Sequence, residues 1–332
     1  MSPRRLAAPV IACAQAAAAC SGNAGAPVGA HVAPAIAAAL TAADEVREPW
    51  RCAAPDGPSV ADETLTIGAH EWRLGARAMR LTGAGTGDIA IGVVADAAGS
   101  APETLAALGR LRARLAHVDL VLSLGGMGAS RAELEAVFAV IADRAAWPLV
   151  AMPGDLEPVA DQTAAIATAR RRGAAVIDGR LVGRIELPAA TIALVPGAGA
   201  ASRLVAGAEG CAYRAEGVAA AFADLTPRPG LRILASAEAP RDAGPGGPSG
   251  ELGLTAGAGQ QIDLALHGPA SGTAGDSPTP PRSGSRDGAA ASLSPGSSDA
   301  TPRLPGPRRI PSAGVLTVHG SAWSWKPIED VK

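Results

Sequence analysis

Three near-continuous apolar runs, each ending in a glycine-containing loop and two of them also in acidic residues, restrict this chain more than any other feature. They are Ile89-Ala90-Ile91-Gly92-Val93-Val94-Ala95, Val118 to Leu124, and Trp147 to Met152. Runs without polar alternation suit strands covered on both faces. Amphipathic stretches lie between them. Pro102 to Ala116 puts Leu105, Leu108, Leu111 and Leu115 on one stripe, with Arg110, Arg112 and Arg114 facing away. Arg131 to Arg144 turns Leu134, Val137, Phe138 and Ile141 inward, and Val159 to Arg172 reads as a third helix before a short strand at Ala174–Ile177. Strands alternating with helices call for an α/β domain with a parallel centre. In such sheets the chemistry gathers at the carboxyl ends of the strands.

The flanks read differently. Val32 to Trp50 contains an Ala-rich helix, and Glu63 to Leu81 alternates apolar and polar residues as a β-hairpin does. Asp178-Gly179 is a hairpin turn signal leading into Leu181–Leu187, with Thr191–Val195 beyond. Trp323-Ser324-Trp325 sets two indoles on one face of a last strand, for sheet packing or a rim.

Composition excludes several classes. The 332 residues carry 29 basic and 31 acidic side chains, with Lys326 and Lys332 the only lysines. No clustered basic excess is present for nucleic acid to bind. Five Trp, one Tyr and two Phe leave the core to Val, Leu, Ile and Ala. Four cysteines and five histidines are too few and too scattered for a zinc-finger framework.

The N-terminus reads as an address. Arg4 and Arg5 precede a small or apolar stretch from Leu6 to Ala19, which is too short to span a membrane and fits a secretory signal. Ala17-Ala18-Ala19-Cys20 resembles a bacterial lipobox, which makes residues 1–19 a signal peptide and Cys20 the lipidated N-terminus. Val10-Ile11-Ala12-Cys13 is a second match with a shorter apolar run, and a secreted protein with an incidental Cys20 is the alternative. Residues 20–31 then form a flexible tether. The expected location is the bacterial cell envelope, on the periplasmic or outer-membrane face, with the membrane reached through the lipid. In an oxidising compartment Cys52 and Cys211, the thiols left over, either pair as a disulfide or stay as two buried thiols.

The strand ends are the candidate site. They read Asp96-Ala97-Ala98-Gly99, Gly125-Gly126-Met127-Gly128, Pro153-Gly154-Asp155-Leu156-Glu157, Ser236-Ala237-Glu238 and His267-Gly268-Pro269-Ala270-Ser271. From Ile89 to Ser321 this series resembles the calcineurin-like metallophosphoesterases. Their strand ends carry Asp-x-His-Gly, Gly-Asp, Gly-Asn-His-Asp/Glu, a lone His and Gly-His-x-His in the same order. The resemblance implies a sandwich of two mixed β-sheets flanked by helices, with two metals at the strand ends.

Two-metal phosphoester chemistry needs a carboxylate bridging ions roughly 3.5–4 Å apart and imidazoles around them. Asp96 matches the first ligand, Asp155 stands for the Asn of the third motif, and Glu157 matches its acidic end. Glu238, at the fourth strand end, is a further candidate carboxylate. The histidines are replaced by Ala98, Leu156, Pro269 and Ser271, none stands near Ala237, and the bridge is Gly126. The resemblance therefore leaves no two-metal cofactor. Asp96, Asp155 and Glu157 can hold at most one hard divalent cation, weakly. Asp155 reads equally as an N-cap for the helix opening at Pro158, and Asp96 as a loop-capping carboxylate. His267 is one position out of register for a ligand.

Residues 270–312 stand apart: 23 of the 43 are Ser, Pro or Gly, with Leu293, Leu304 and Ile310 the only large apolar side chains. Such a composition predicts a disordered insertion. The organisation expected is signal peptide, tether, an N-terminal helix and hairpin extension over 32–88, the phosphoesterase-like domain over 89–269, the insertion, and a last strand and tail over 313–332. Two functions follow from the resemblance. One is a catalytically inactive envelope lipoprotein that binds or scaffolds an unidentified envelope partner or ligand. The other is a metal-dependent phosphoesterase working through a reduced carboxylate site.

Overall fold

Two β-sheets face each other across one apolar layer, with helices on the outer faces. The structure, a computed structural model, describes residues 50–54, 57–83, 87–199, 204–225, 229–238, 262–268, 283–285, 291–295 and 312–330. These belong to one compact unit that runs from Arg47 to Lys332. Cys20, the bulk of the helix expected over 32–50, Pro269 and Ser271 lie outside the described residues.

In chain order the strands begin with β1 (Trp50–Arg51), β2 (Glu63–Ile67), β3 (His70–Gly75), β4 (Ala78–Thr82), β5 (Ile89–Val94) and β6 (Leu120–Ser123). They continue with β7 (Leu149–Ala151), β8 (Val176–Asp178), β9 (Arg184–Glu186), β10 (Ala190–Val195), β11 (Cys211–Ala212) and β12 (Leu231–Ser236). Last come β13 (Leu264–His267), β14 (Ser283–Ser285), β15 (Ala291–Leu293), β16 (Ser312–His319) and β17 (Ala322–Glu329). The helices are α1 (Pro102–Arg114), α2 (Arg131–Ala142), α3 (Val159–Arg171) and α4 (Ala215–Leu225).

One sheet has seven strands in the order β14-β17-β16-β5-β6-β7-β8. Its parallel core holds the three apolar runs read from sequence as β5, β6 and β7 and the short strand read at Ala174–Ile177 as β8, and β16 and β17 return antiparallel beside β5. The other sheet has eight strands in the order β15-β13-β12-β10-β9-β4-β3-β2. Trp72, Met79, Ile91, Leu120, Leu122, Ile192, Leu266 and Trp325 meet between the sheets. Each large side chain buried there contributes about 1.5–3 kcal/mol. The stripes on α1 and α2 cover the outer face of the seven-stranded sheet, with Leu108, Leu111, Leu134 and Phe138 buried. Helix α4 covers the other sheet through Ala221, Phe222 and Leu225. Ser130 caps α2, its Oγ accepting from the Glu133 amide at 3.4 Å, while the Glu133 carboxylate accepts from the Ala129 amide at 2.8 Å.

Three expectations are corrected. The hairpin at Glu63–Leu81 is a three-stranded meander, and it is no separate extension, because β4 pairs in parallel with β9 inside the eight-stranded sheet. The Asp178-Gly179 turn makes no hairpin. Strand β8 ends the seven-stranded sheet while β9 lies in the other, so the chain changes sheets there and the hairpin is β9–β10. The Asp178 carboxylate accepts from the Arg180 amide at 2.9 Å, which holds this crossing. Finally, residues 270–312 are not uniformly without structure. Ser283–Ser285 pairs with β17 and Ala291–Leu293 with β13, where Leu293 is fully buried in the layer between the sheets.

Candidate functional site

The carboxyl ends of β5, β6, β7, β12 and β13 converge, and there backbone meets backbone. The amide of Asp96 donates to the Gly125 carbonyl (2.9 Å), that of Ala98 to Gly126 (2.8 Å) and that of Gly99 to Met127 (3.2 Å). The first two strand-end loops thus continue pairing past the ends of their strands. Gly126 has φ +71°, and a Cβ built on it would lie 2.9 Å from the Asp96 Cα. A Cβ on Gly125 would lie 2.6 Å from the Gly154 amide nitrogen, and one on Gly268 would lie 2.4 Å from the Ala237 carbonyl oxygen. Side chains at these positions are excluded by neighbouring backbone. A side chain at position 126 would meet the Asp96 backbone at its Cβ and would have to push it aside.

The acidic residues are placed by the same loops. Glu157 is 1% exposed. One of its carboxyl oxygens accepts from the Met127 amide at 2.5 Å and the other from the Gly154 amide at 2.8 Å. Burial pushes its acidity constant from 4.5 up to about 7, and the amide donors, Met127 and Gly154 foremost, hold it from rising further. With both oxygens on backbone N–H groups, Glu157 ties the second loop to the third. Asp96 is half-buried with φ +52°, an uncommon backbone for a non-glycine residue. Asp155 is half-buried, and its carbonyl accepts from the Val205 and Ala206 amides at 2.8 and 3.2 Å. The N-cap reading of Asp155 does not hold, because Pro158 occupies the cap position of α3 and no side chain caps it.

Glu238 belongs to the same face, through partners that sequence reasoning did not name. Tyr213, the sole tyrosine in the chain, donates its hydroxyl to Glu238 Oε2 at 2.7 Å, and the Gly199 amide reaches the same oxygen at 3.2 Å. Ser236 Oγ donates to the Glu238 carbonyl at 2.7 Å. The rarity of Tyr213 was the one signal that could have drawn attention to it. His267 Nδ1 donates to the carbonyl of its neighbour Gly268 at 2.6 Å. Cys52 and Cys211 are joined in a disulfide with Cα atoms 5.5 Å apart, which pins β1 alongside β11 next to Val159 at the start of α3.

The donor set does not fit a two-metal centre. Positions 98, 126 and 156 carry Ala, Gly and Leu, Glu157 spends both oxygens on amides, and Glu238 is held by Tyr213 and Gly199. Among the described residues no three His, Cys, Asp or Glu side chains come close enough together to hold an ion. The same residues include no helix long and apolar enough to cross a membrane.

Neither a protein-family model nor a curated protein matches this sequence. Solved structures do match. One crystal structure superposes with a TM-score of 0.51 at 11% identity, covering 74% of this chain and 100% of that one. Purple acid phosphatase PPD1 from yellow lupin seeds gives 0.46 at 11% identity, over 77% of this chain and 54% of that one. A metallophosphoesterase from Sphaerobacter thermophilus gives 0.34 at 16% identity, over 73% and 89%. At these identities the likeness is one of fold.

Proposed function

We propose that this chain, which has the two-sheet sandwich fold of the calcineurin-like metallophosphoesterases, is a non-catalytic envelope lipoprotein that binds or scaffolds a partner. The observation that carries this reading is the closed approach of Gly126 to Asp96. A bridging carboxylate at that position has no side chain to supply it, and a Cβ placed there would lie 2.9 Å from the Asp96 Cα. Two dications held without it would repel across a short gap.

The envelope location rests on the Cys20 lipobox and gains support from the Cys52–Cys211 disulfide, since such bonds persist in oxidising compartments. Lipid at Cys20 then anchors the domain to the membrane through residues 20–31.

The test has two arms. Purified mature protein, dialysed and then supplied with Mn²⁺, Mg²⁺, Ca²⁺ or Zn²⁺, is expected to retain no stoichiometric metal and to turn over neither phosphomonoesters nor phosphodiesters. Metal-dependent turnover abolished by Asp96→Asn or Asp155→Asn would establish the phosphoesterase reading instead. Intact-mass analysis of membrane-extracted protein is expected to show an acylated N-terminus at Cys20. A soluble product beginning elsewhere, unchanged by Cys20→Ser, would remove the anchor from the proposal.

A further inference from the structure

Each sheet of the sandwich ends in two edge strands, and the two pairs are treated differently. At one end stand β2 and β8, which protect themselves. Glu63 on β2 is paired with Arg170 at 2.5 Å, and β8 is three residues long with Asp178 held by Arg180. Charge and shortness are the usual means of keeping an edge from templating another chain.

At the other end the outermost strands of ordinary length are β13 and β17, and neither is protected along its whole length. Strand β13 reads Leu264-Ala265-Leu266-His267, with no charge or proline in its first three residues. Strand β17 carries Lys326 and Pro327, both exposed, in its second half, while its first half, Ala322-Trp323-Ser324-Trp325, has no such residue. Two short strands cover these stretches. Ala291–Leu293 pairs with Leu264–Leu266, and Ser283–Ser285 pairs with Ala322–Ser324, stopping short of Lys326.

Both covers come from the Ser/Pro/Gly-rich segment, and only five residues separate them. That is a reach of about 20 Å when extended, enough to pass between facing sheets about 10 Å apart. The fit is made by backbone and by one anchor. Gly284 lies against Trp323, where a Cβ would fall 2.7 Å from the indole, and Leu293 is fully buried beside Leu264 and Leu266.

We propose that the strands Ser283–Ser285 and Ala291–Leu293 are intramolecular edge guards, occupying the two stretches of sheet edge that would otherwise pair with a second copy of this chain. A segment so poor in apolar residues offers little to the core, so its two described strands matter for what they cover. An uncovered apolar edge presents a row of free N–H and C=O groups to any extended strand, and an identical exposed edge on a second molecule is the partner always at hand.

The test uses the intact chain in a Cys20→Ser background, so that no lipid contributes to association. Gly284→Val drives β14 off Trp323, and Leu293→Asp withdraws β15 by placing a charge in the core layer. Sedimentation velocity across a wide concentration range is expected to show each variant associating about tenfold or more tightly than the parent chain. Ser324→Lys added to Gly284→Val is expected to reverse the change by guarding the bare edge with charge. Gly284→Val alters only an edge residue and decides the matter if Leu293→Asp fails to fold. A folded Gly284→Val chain with the parent's sedimentation behaviour at every concentration would overturn the proposal. So would association that Ser324→Lys leaves untouched.

Discussion

Gly126 and Asp96 sit backbone against backbone, with the space for a Cβ on Gly126 ending 2.9 Å from the Asp96 Cα. The two loops are hydrogen-bonded on either side of this contact, Asp96 to Gly125 and Ala98 to Gly126. The strand ends of the sandwich are here drawn together by main chain. The closure is extended by the third loop, since Gly154 packs against Gly125 and Gly126 and donates to Glu157. A position without a side chain and a close backbone contact therefore coincide at one place.

Replacing Gly126 with Asp is expected to destabilise the protein without creating activity. The left-handed φ of +71° costs a non-glycine residue about 1 kcal/mol, and forcing backbone apart at the Asp96 contact adds about 1–3 kcal/mol. Denaturant unfolding should show a loss of about 2–4 kcal/mol with no metal-dependent phosphoester hydrolysis. Full stability with Asp at 126 would mean that the loops separate easily and that the closure is not structural.

The buried carboxyl of Glu157 sets a pH dependence of stability. Its acidity constant in the folded chain is raised to about 7 from an ordinary 4.5, so between those values the folded state holds a proton that the unfolded state has released. Stability from this group is then greatest below pH 4.5 and falls as pH rises towards about 7, by about 3 kcal/mol in all. Unfolding free energies measured from pH 4.5 to 8 on the parent and on Glu157→Gln isolate the effect. The slope over this window is expected to be shallower in the variant, which carries no titrating group there. Parallel profiles would show that Glu157 does not titrate in the window.

The sequence reveals the parallel core because buried strands leave an unmistakable trace. Ile89–Val94 and Arg131–Ala142 fall within the apolar run and the helical stripe read for them. Local signals fail where partners are remote. Asp178-Gly179 has the residues of a hairpin turn, yet nothing in them records that the next strand lies in the other sheet. Ser283–Ser285 pairs with β17 although a Ser-Gly-Ser run carries no apolar alternation to read. Glu157 stands at a ligand position by motif, but its partner Met127 is 30 residues away, and a carboxylate destined for amides looks the same in sequence as one destined for metal.

Tyr213→Phe tests how firmly the far side of the site is built. The substitution removes one hydroxyl from a buried ring and takes from Glu238 its closest side-chain donor among the hydrogen bonds described above. A loss of about 1–3 kcal/mol is expected, the usual cost of leaving a buried acceptor short of a partner. Glu238→Gln with Tyr213→Phe should cost less than the sum of the two single changes, because the pair is then removed together. Strict additivity in the double-mutant cycle would show that the two groups are not coupled.

The disulfide offers the largest single effect. Cys52 and Cys211 are 159 positions apart, and in the chain-entropy account a loop of that length restricts the unfolded chain by about 5 kcal/mol. Part of this is lost because β1 is only two residues long and its partner β11 no longer, so without the bond the arm comes away before the sandwich unfolds. Cys52 also packs with Val159 at the head of α3, which a smaller residue would vacate. The Cys52→Ala/Cys211→Ala protein is therefore expected to unfold about 3–5 kcal/mol more easily than the oxidised parent. Limited proteolysis should cut it near residues 50–54 before any cleavage within the sheets, whereas the oxidised parent resists there. An unchanged midpoint together with unchanged cleavage would mean that contacts such as the Cys52 amide on the Ala212 carbonyl, 2.6 Å long, hold the arm without help from the bond.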